Sequence, residues 1–148
     1  MLTEKQRKFE ELLRKNHRYG REAYRLVYKA LEYTLEHVVK RTGHVSAHEL
    51  LGGFRLYAIE QFGCLARTVM NGLKIRKTND IGELVFILTG ENLMEKQESD
   101  RQEEFNNVYD FDEVFDLKPV SSYASDTREW KTDYVQRKTS KKGKADNT

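Results

Sequence analysis

Hydrophobic positions recur every three or four residues along most of the chain's first two thirds, the period of helices with one buried face. Thr3 and Gln6 open the first stretch as a candidate capping box, and Phe9, Leu12 and Leu13 form a thin apolar stripe ending near Lys15 or Asn16. The second stretch is the most regular. Across 21–40, Ala23, Leu26, Val27, Ala30, Leu31, Leu35 and Val38 fall on one face, Glu36 precedes Lys40 by one turn, and Thr42-Gly43 supplies a stop.

Ser46 with Glu49 forms a second capping box, and Leu50, Leu51, Phe54, Tyr57, Ala58 and Phe62 continue the helical period behind it. Gly52-Gly53 costs about 1 kcal/mol per residue against alanine inside a helix. Such a pair fits a place where another backbone packs close, or where the helix is irregular. Gly63 punctuates the period, Leu65, Ala66, Val69 and Met70 suit a short helix closed by Asn71-Gly72, and Ile75 stands alone among cations as a brief strand would. Thr78 or Asn79 can cap a third helix with Asp80 and Glu83 in its first turn, where the macrodipole favours anions. Residues 84–88 are apolar all round; the capping residues and the length up to Gly90 favour helix over strand.

Beyond Gly90, residues 92–97, 98–101 and 102–105 read as a short strand, a charged tip and a returning strand. Two short helices, an apolar helix and a polar hairpin are the order of a winged helix-turn-helix, and this order over 46–108 resembles the pattern of winged-helix regulators. The expected fold is α+β and mostly helical, a winged-helix-like unit behind an N-terminal helical hairpin, with a purely helical bundle as the alternative. Residues 1–45 are then helices packed on the core, 46–117 the core itself, and 118–148 a polar basic tail. The acidic and aromatic run 108–117, with Asp112 as a cap and Phe111 as its staple, is expected to lay its aromatics on the core. Pro119, the only proline, marks the boundary, and the composition from 139 on is that of disorder. Tyr123, Trp130 and Tyr134 interrupt the tail's polarity, either as a peptide that folds on binding or as a flap packed on the domain.

Composition and charge change this picture mainly for partners. At 148 residues the chain is one domain long, 34% charged and 38% hydrophobic. Cys64 is the only cysteine, which excludes an internal disulfide framework, suits a reducing compartment and, between Phe62 and Leu65, reads as a half-buried structural thiol. No apolar run approaches the roughly 20 residues of a membrane span, so a cytoplasmic location is expected. The formal net charge of +2 conceals a segregation: 11 Lys/Arg against 6 Asp/Glu in 1–45, 7 against 14 in 46–117, and 8 against 4 in 118–148. A DNA-reading helix brings cations to a polyanion. Residues 79–89 carry none, and Asp80 and Glu83 sit at the end that would enter the groove. DNA reading by this helix is therefore not expected.

Arg18, Arg21, Arg25 and Lys29 fall on one line opposite the second helix's apolar face, edged by Tyr24 and Tyr28. They form either a strip for a phosphate backbone or the solvated back of an amphipathic helix, with Glu22, Glu32 and Glu36 diluting the field. Glu95, Glu98, Asp100 and Glu103 make the expected wing acidic. Gly-rich phosphate loops, nucleophile elbows and paired cysteines are missing. His44 and His48 are separated by the apparent helix cap Ser46, so they are not a helical metal-binding pair, and neither a metal nor a cofactor is implied.

Tyr19-Gly-Arg-Glu-Ala-Tyr24, His44-Val-Ser-Ala-His-Glu-Leu-Leu51, Gln61-Phe-Gly63, Asp80-Ile-Gly-Glu-Leu-Val-Phe86 and Val108-Tyr-Asp-Phe-Asp-Glu-Val-Phe115, in this order, resemble an uncharacterised family of short bacterial proteins found mainly in planctomycetes and verrucomicrobia. The similarity spans about 10–116. It implies a bacterial, cytoplasmic protein and carries over no activity and no site residue. The expected function is a non-catalytic adaptor or regulator that binds another protein through Glu95, Glu98, Asp100 and Glu103. A homodimer could form through Arg18, Arg21 and Arg25 against the acidic centre. The alternative is an RNA- or ribosome-associated factor using Arg18, Arg21, Arg25, Lys29 and the tail residues Lys138, Lys141, Lys142 and Lys144.

Overall fold

Capping chemistry and close helix crossings explain most of the architecture. The computed structural model describes residues 1–95 and 101–137. The elements are α1 (Glu4–Lys15), α2 (Arg21–Tyr33) running on into a wider π turn (Thr34–Val38), α3 (Ala47–Phe62), a 3-10 turn (Gly63–Leu65), α4 (Ala66–Gly72), α5 (Thr78–Gly90), a second 3-10 turn (Gln102–Phe105), α6 (Phe111–Val114), and an antiparallel hairpin of β1 (Leu117–Ala124) and β2 (Glu129–Gln136). The fold is α+β and mostly helical. Both capping boxes are present: Thr3 with Gln6 starts α1, and Ser46 with Glu49 starts α3, leaving His44 outside the helix.

The glycine pair of α3 divides its roles. At Gly53 a Cβ would lie 1.8 Å from the Thr34 hydroxyl oxygen, whereas at Gly52 it would meet nothing within 4 Å. Thr34 is fully buried and donates to the Ala30 carbonyl at 2.7 Å. Gly53 is thus where α2 presses its side chain into α3, at the point where α2 widens into the π turn. Such bulges occur where a side chain perturbs the regular ladder.

α5 forms the centre. Ile81, Leu84 and Leu88 are fully buried with Gly82 and Val85 beside them, and no residue from 78 to 89 is exposed. Neither expected cap serves that purpose: Lys77 holds the cap position, the Thr78 hydroxyl accepts from the Val108 N–H at 3.0 Å, and Asn79 accepts from the Asn107 N–H at 2.8 Å. Ile75 is fully buried coil rather than a strand. Asp110, not Asp112, caps α6, while Phe111, Val114, Phe115 and Leu117 close over the core as expected of this segment.

Two expectations are corrected. Residues 92–95 and 101–105 form no strands: Leu93 and Phe105 are buried, the Leu93 carbonyl accepts from the Tyr28 hydroxyl, and Phe105 lies edge-on to Phe86 of α5. Apolar anchors two places into the segment pull it onto α5, where a free-standing hairpin would have kept it away. The sheet lies instead in 117–136, which had read as tail. Its residues pair from Leu117↔Gln136 to Ala124↔Glu129. The Arg137 N–H donates to the Asp116 carbonyl at 2.9 Å, so by alternation Pro119↔Tyr134 is a pair without ladder hydrogen bonds. The missing N–H of Pro119 therefore points to the outer border of the ribbon, the place where a strand tolerates proline.

Candidate functional site

The described structure breaks up the basic strip. Arg18 lies against the N-terminal end of α5, its Nε 3.1 Å from Glu83 and its Nη2 3.7 Å from Asp80. Tyr19, buried beside it, donates to Glu83 at 2.9 Å and sits 3.2 Å from Asp80. Burial, the Glu83 hydrogen bond and the two carboxylates push the Tyr19 phenol far above its usual range, so it acts as a fixed donor. Arg21 forms a two-pronged pair with Glu10 of α1 at 2.6 and 3.0 Å. Lys29 faces Glu32 one turn along at 3.6 Å, and Arg25 is exposed with no ion pair among the described residues. The attraction between the N-terminal cations and the acidic centre is real, but for Arg18 it acts within one chain.

Of the four acids expected in the wing, two are described. Glu95 is exposed beside a small cavity of about 100 Å³ lined by His44, Val45 and Met94, and Glu103 is exposed in the second 3-10 turn. Glu98, Asp100, Lys138, Lys141, Lys142 and Lys144 lie outside the described residues. Among the described residues no three His, Cys, Asp or Glu side chains gather as metal ligands, and no helix is long and apolar enough to cross a membrane.

A different surface emerges from the hairpin. Period-two alternation puts Leu117, Pro119, Ser121 and Tyr123 on one face with Trp130, Thr132, Tyr134 and Gln136 opposite them. The base of this face is seated. Leu117 is buried, Gln136 donates to the Glu113 carbonyl at 2.9 Å, and the Tyr134 ring covers Gly63 so closely that a Cβ there would lie 2.6 Å from it. Gly63 also has φ +52°, so two constraints select glycine. The same face is bare at the tip, where Tyr123 and Trp130 pair edge-on at 5.5 Å while remaining 52% and 71% exposed. Val120 and Val135 are exposed on the other face.

Apolar surface continues past the base. Leu65 is 64% exposed in the turn beneath the hairpin. Cys64 is exposed there too, against the expectation of a half-buried thiol, because Gly63 breaks the helical path and swings the next two side chains outward. Beside the turn, Leu26, Phe62, Val69 and Leu73 line an apolar groove between α2 and α4, rimmed by Glu22, Arg25 and Lys29. Sequence reasoning singled out Tyr123, Trp130 and Tyr134 but not their pairing in a hairpin, whose signal was the alternation Trp130, Thr132, Tyr134 against charged neighbours, facing a second run with Pro119 and Tyr123.

Comparison with protein-family models, with curated proteins and with solved structures gives no match to the chain.

Proposed function

We propose that this chain is a non-catalytic module that binds another protein, and that the hairpin and the apolar turn beneath it form the contact surface. One observation carries the reading: a two-stranded ribbon holds Val120, Tyr123, Trp130, Tyr134 and Val135 in water on two faces. An isolated ribbon of this kind is marginally stable, and contiguous exposed apolar surface marks interaction sites. Aromatic side chains of this type are the usual anchors of protein interfaces. The exposed acids Glu95 and Glu103, with Glu98 and Asp100, serve in this reading as a secondary surface that steers partners more than it holds them. The burial of α5 adds a steric reason to the electrostatic one against DNA reading, since a helix packed on all sides cannot enter a groove.

The test is affinity capture from cells with and without RNase. Capture of a defined protein at moderate salt in both arms, lost in Trp130→Ala and Tyr123→Ala but only weakened in Glu103→Lys, supports the reading. Capture unchanged by Trp130→Ala sinks it.

The same aromatic pair favours a second reading, single-stranded RNA. Bases stack on exposed aromatics with about 1–3 kcal/mol each, and the cations Lys138, Lys141, Lys142 and Lys144 follow the hairpin in sequence. That reading expects affinity to fall at least about tenfold between 50 and 200 mM salt. The engagement of Arg18 and Arg21 in pairs with Glu83 and Glu10 weighs against the strip's share in it.

A further inference from the structure

We infer that the groove between α2 and α4 receives the hairpin tip of a second copy of this chain, and that the two copies exchange tips reciprocally. The inference rests on the protein-binding reading and names its occupant.

Three features point to a second copy. The first is chemical fit. The groove floor of Leu26, Phe62, Val69 and Leu73 is almost wholly apolar and open. The tip presents an indole and a phenol that, among the described residues, are left 71% and 52% exposed. The second is charge. The rim carries Arg25 and Lys29 with Glu22 beside them; the tip carries Asp126 and Glu129 with Arg128 between them. The rim is thus net positive and the tip net negative, and Arg25 is exposed with no close ion pair among the described residues. The third is placement. Tyr134 covers Gly63, the residue directly after the groove residue Phe62, so donor and acceptor surfaces adjoin on one side of the molecule. A twofold axis beside them lets both tips dock at once, the self-complementary arrangement a closed dimer needs.

Area sets the strength. An aromatic buries about 150–250 Å², of which Tyr123 and Trp130 still expose 52% and 71%; the two rings of each copy, exchanged both ways against groove walls of similar area, give about 700–1,200 Å², the size of a weak, transient interface. A dimer of this size dissociates on dilution.

The full chain is followed by sedimentation velocity from about 1 to about 500 µM, together with the emission of Trp130, the only tryptophan. A monomer–dimer equilibrium is expected, with the emission shifting to the blue as the dimer forms. The dimer is expected to vanish in Trp130→Ala, and both the dimer and the emission shift in Leu73→Glu, with helical circular dichroism retained. Glu129→Arg weakens the dimer about tenfold, and adding Arg25→Glu restores it, a rescue that a merely structural role would not give. A monomer throughout, or a dimer in which Trp130 stays in water, overturns the inference. A photoreactive amino acid in place of Trp130, cross-linked in cells, separates this from the broader reading. A bond to a second copy supports the exchange. A bond to a different protein overturns the exchange and keeps the protein-binding reading, whereas a bond only to RNA overturns both.

Discussion

Single positions in this protein are under steric and polar constraints that neighbouring, chemically identical positions escape. Gly52 and Gly53 are adjacent in α3, yet only Gly53 faces a side chain at contact distance. Gly53→Ala should lower stability by about 1–3 kcal/mol through overpacking against Thr34, whereas Gly52→Ala should raise it by up to about 1 kcal/mol through helix propensity. Urea titration of the two variants side by side checks both signs. Tyr24 offers the converse case. Its ring is fully buried edge-on to Phe9 at 5.7 Å and Tyr19 at 6.4 Å, but its hydroxyl has no hydrogen-bond partner among the described residues. Tyr24→Phe keeps the packing and removes the stranded group, so the midpoint of unfolding should rise by the equivalent of about 1 kcal/mol.

At the scale of elements, caps and seats decide where each segment begins and what it rests on. The Ser46 backbone N–H, and after it the Arg41 side chain, hold the Glu49 carboxyl below its usual value of 4.5. A carboxyl depressed in the folded state stabilises above its unfolded value, and that stabilisation disappears as pH falls through the lower folded value. Glu49→Gln keeps the capping geometry without the charge. Its melting temperature should therefore be lower than that of the parent protein at pH 7, and the gap should narrow as pH falls below 4.5. Gly63→Ala should unseat Tyr134 and speed proteolysis within 117–136 while leaving the helical signal intact. These elements were not equally legible in the sequence. The capping boxes at Thr3 and Ser46 fixed the starts of α1 and α3, because a side chain bonding three residues ahead is a local event. The winged-helix order of three helices and a hairpin was half right: the hairpin exists, but at 117–136, with Pro119 reading as a breaker because its strand register is invisible in one dimension. The groove was beyond reach for the same reason, since Leu26 and Leu73 meet only in three dimensions.

For the whole molecule, the segregated charges act largely as internal adhesive. Arg18 and Tyr19 clamp the N-terminal helices to the start of α5, and Arg67 joins α4 to Asp112 of α6 at 2.8 Å. Residues 1–95 and the segment 101–116 packed on them should accordingly unfold in one cooperative step, with the hairpin as a weaker annex. Hydrogen exchange followed by mass spectrometry should find the amides of α5 at least about a thousandfold slower than those of β1 and β2 in dilute solution. Comparable protection in the two would contradict this hierarchy.

Pro119 gives the ribbon a consequence for solubility in crowded conditions. Strand stacking into fibres requires two sticky margins, one to add to and one to be added to. On the β1 margin a pyrrolidine ring stands where a donor is required, which blunts that margin and favours pairing from the β2 margin. Two ribbons can meet there and stop, which makes a finite pair the end of assembly and denies the exposed aromatics a route to aggregation.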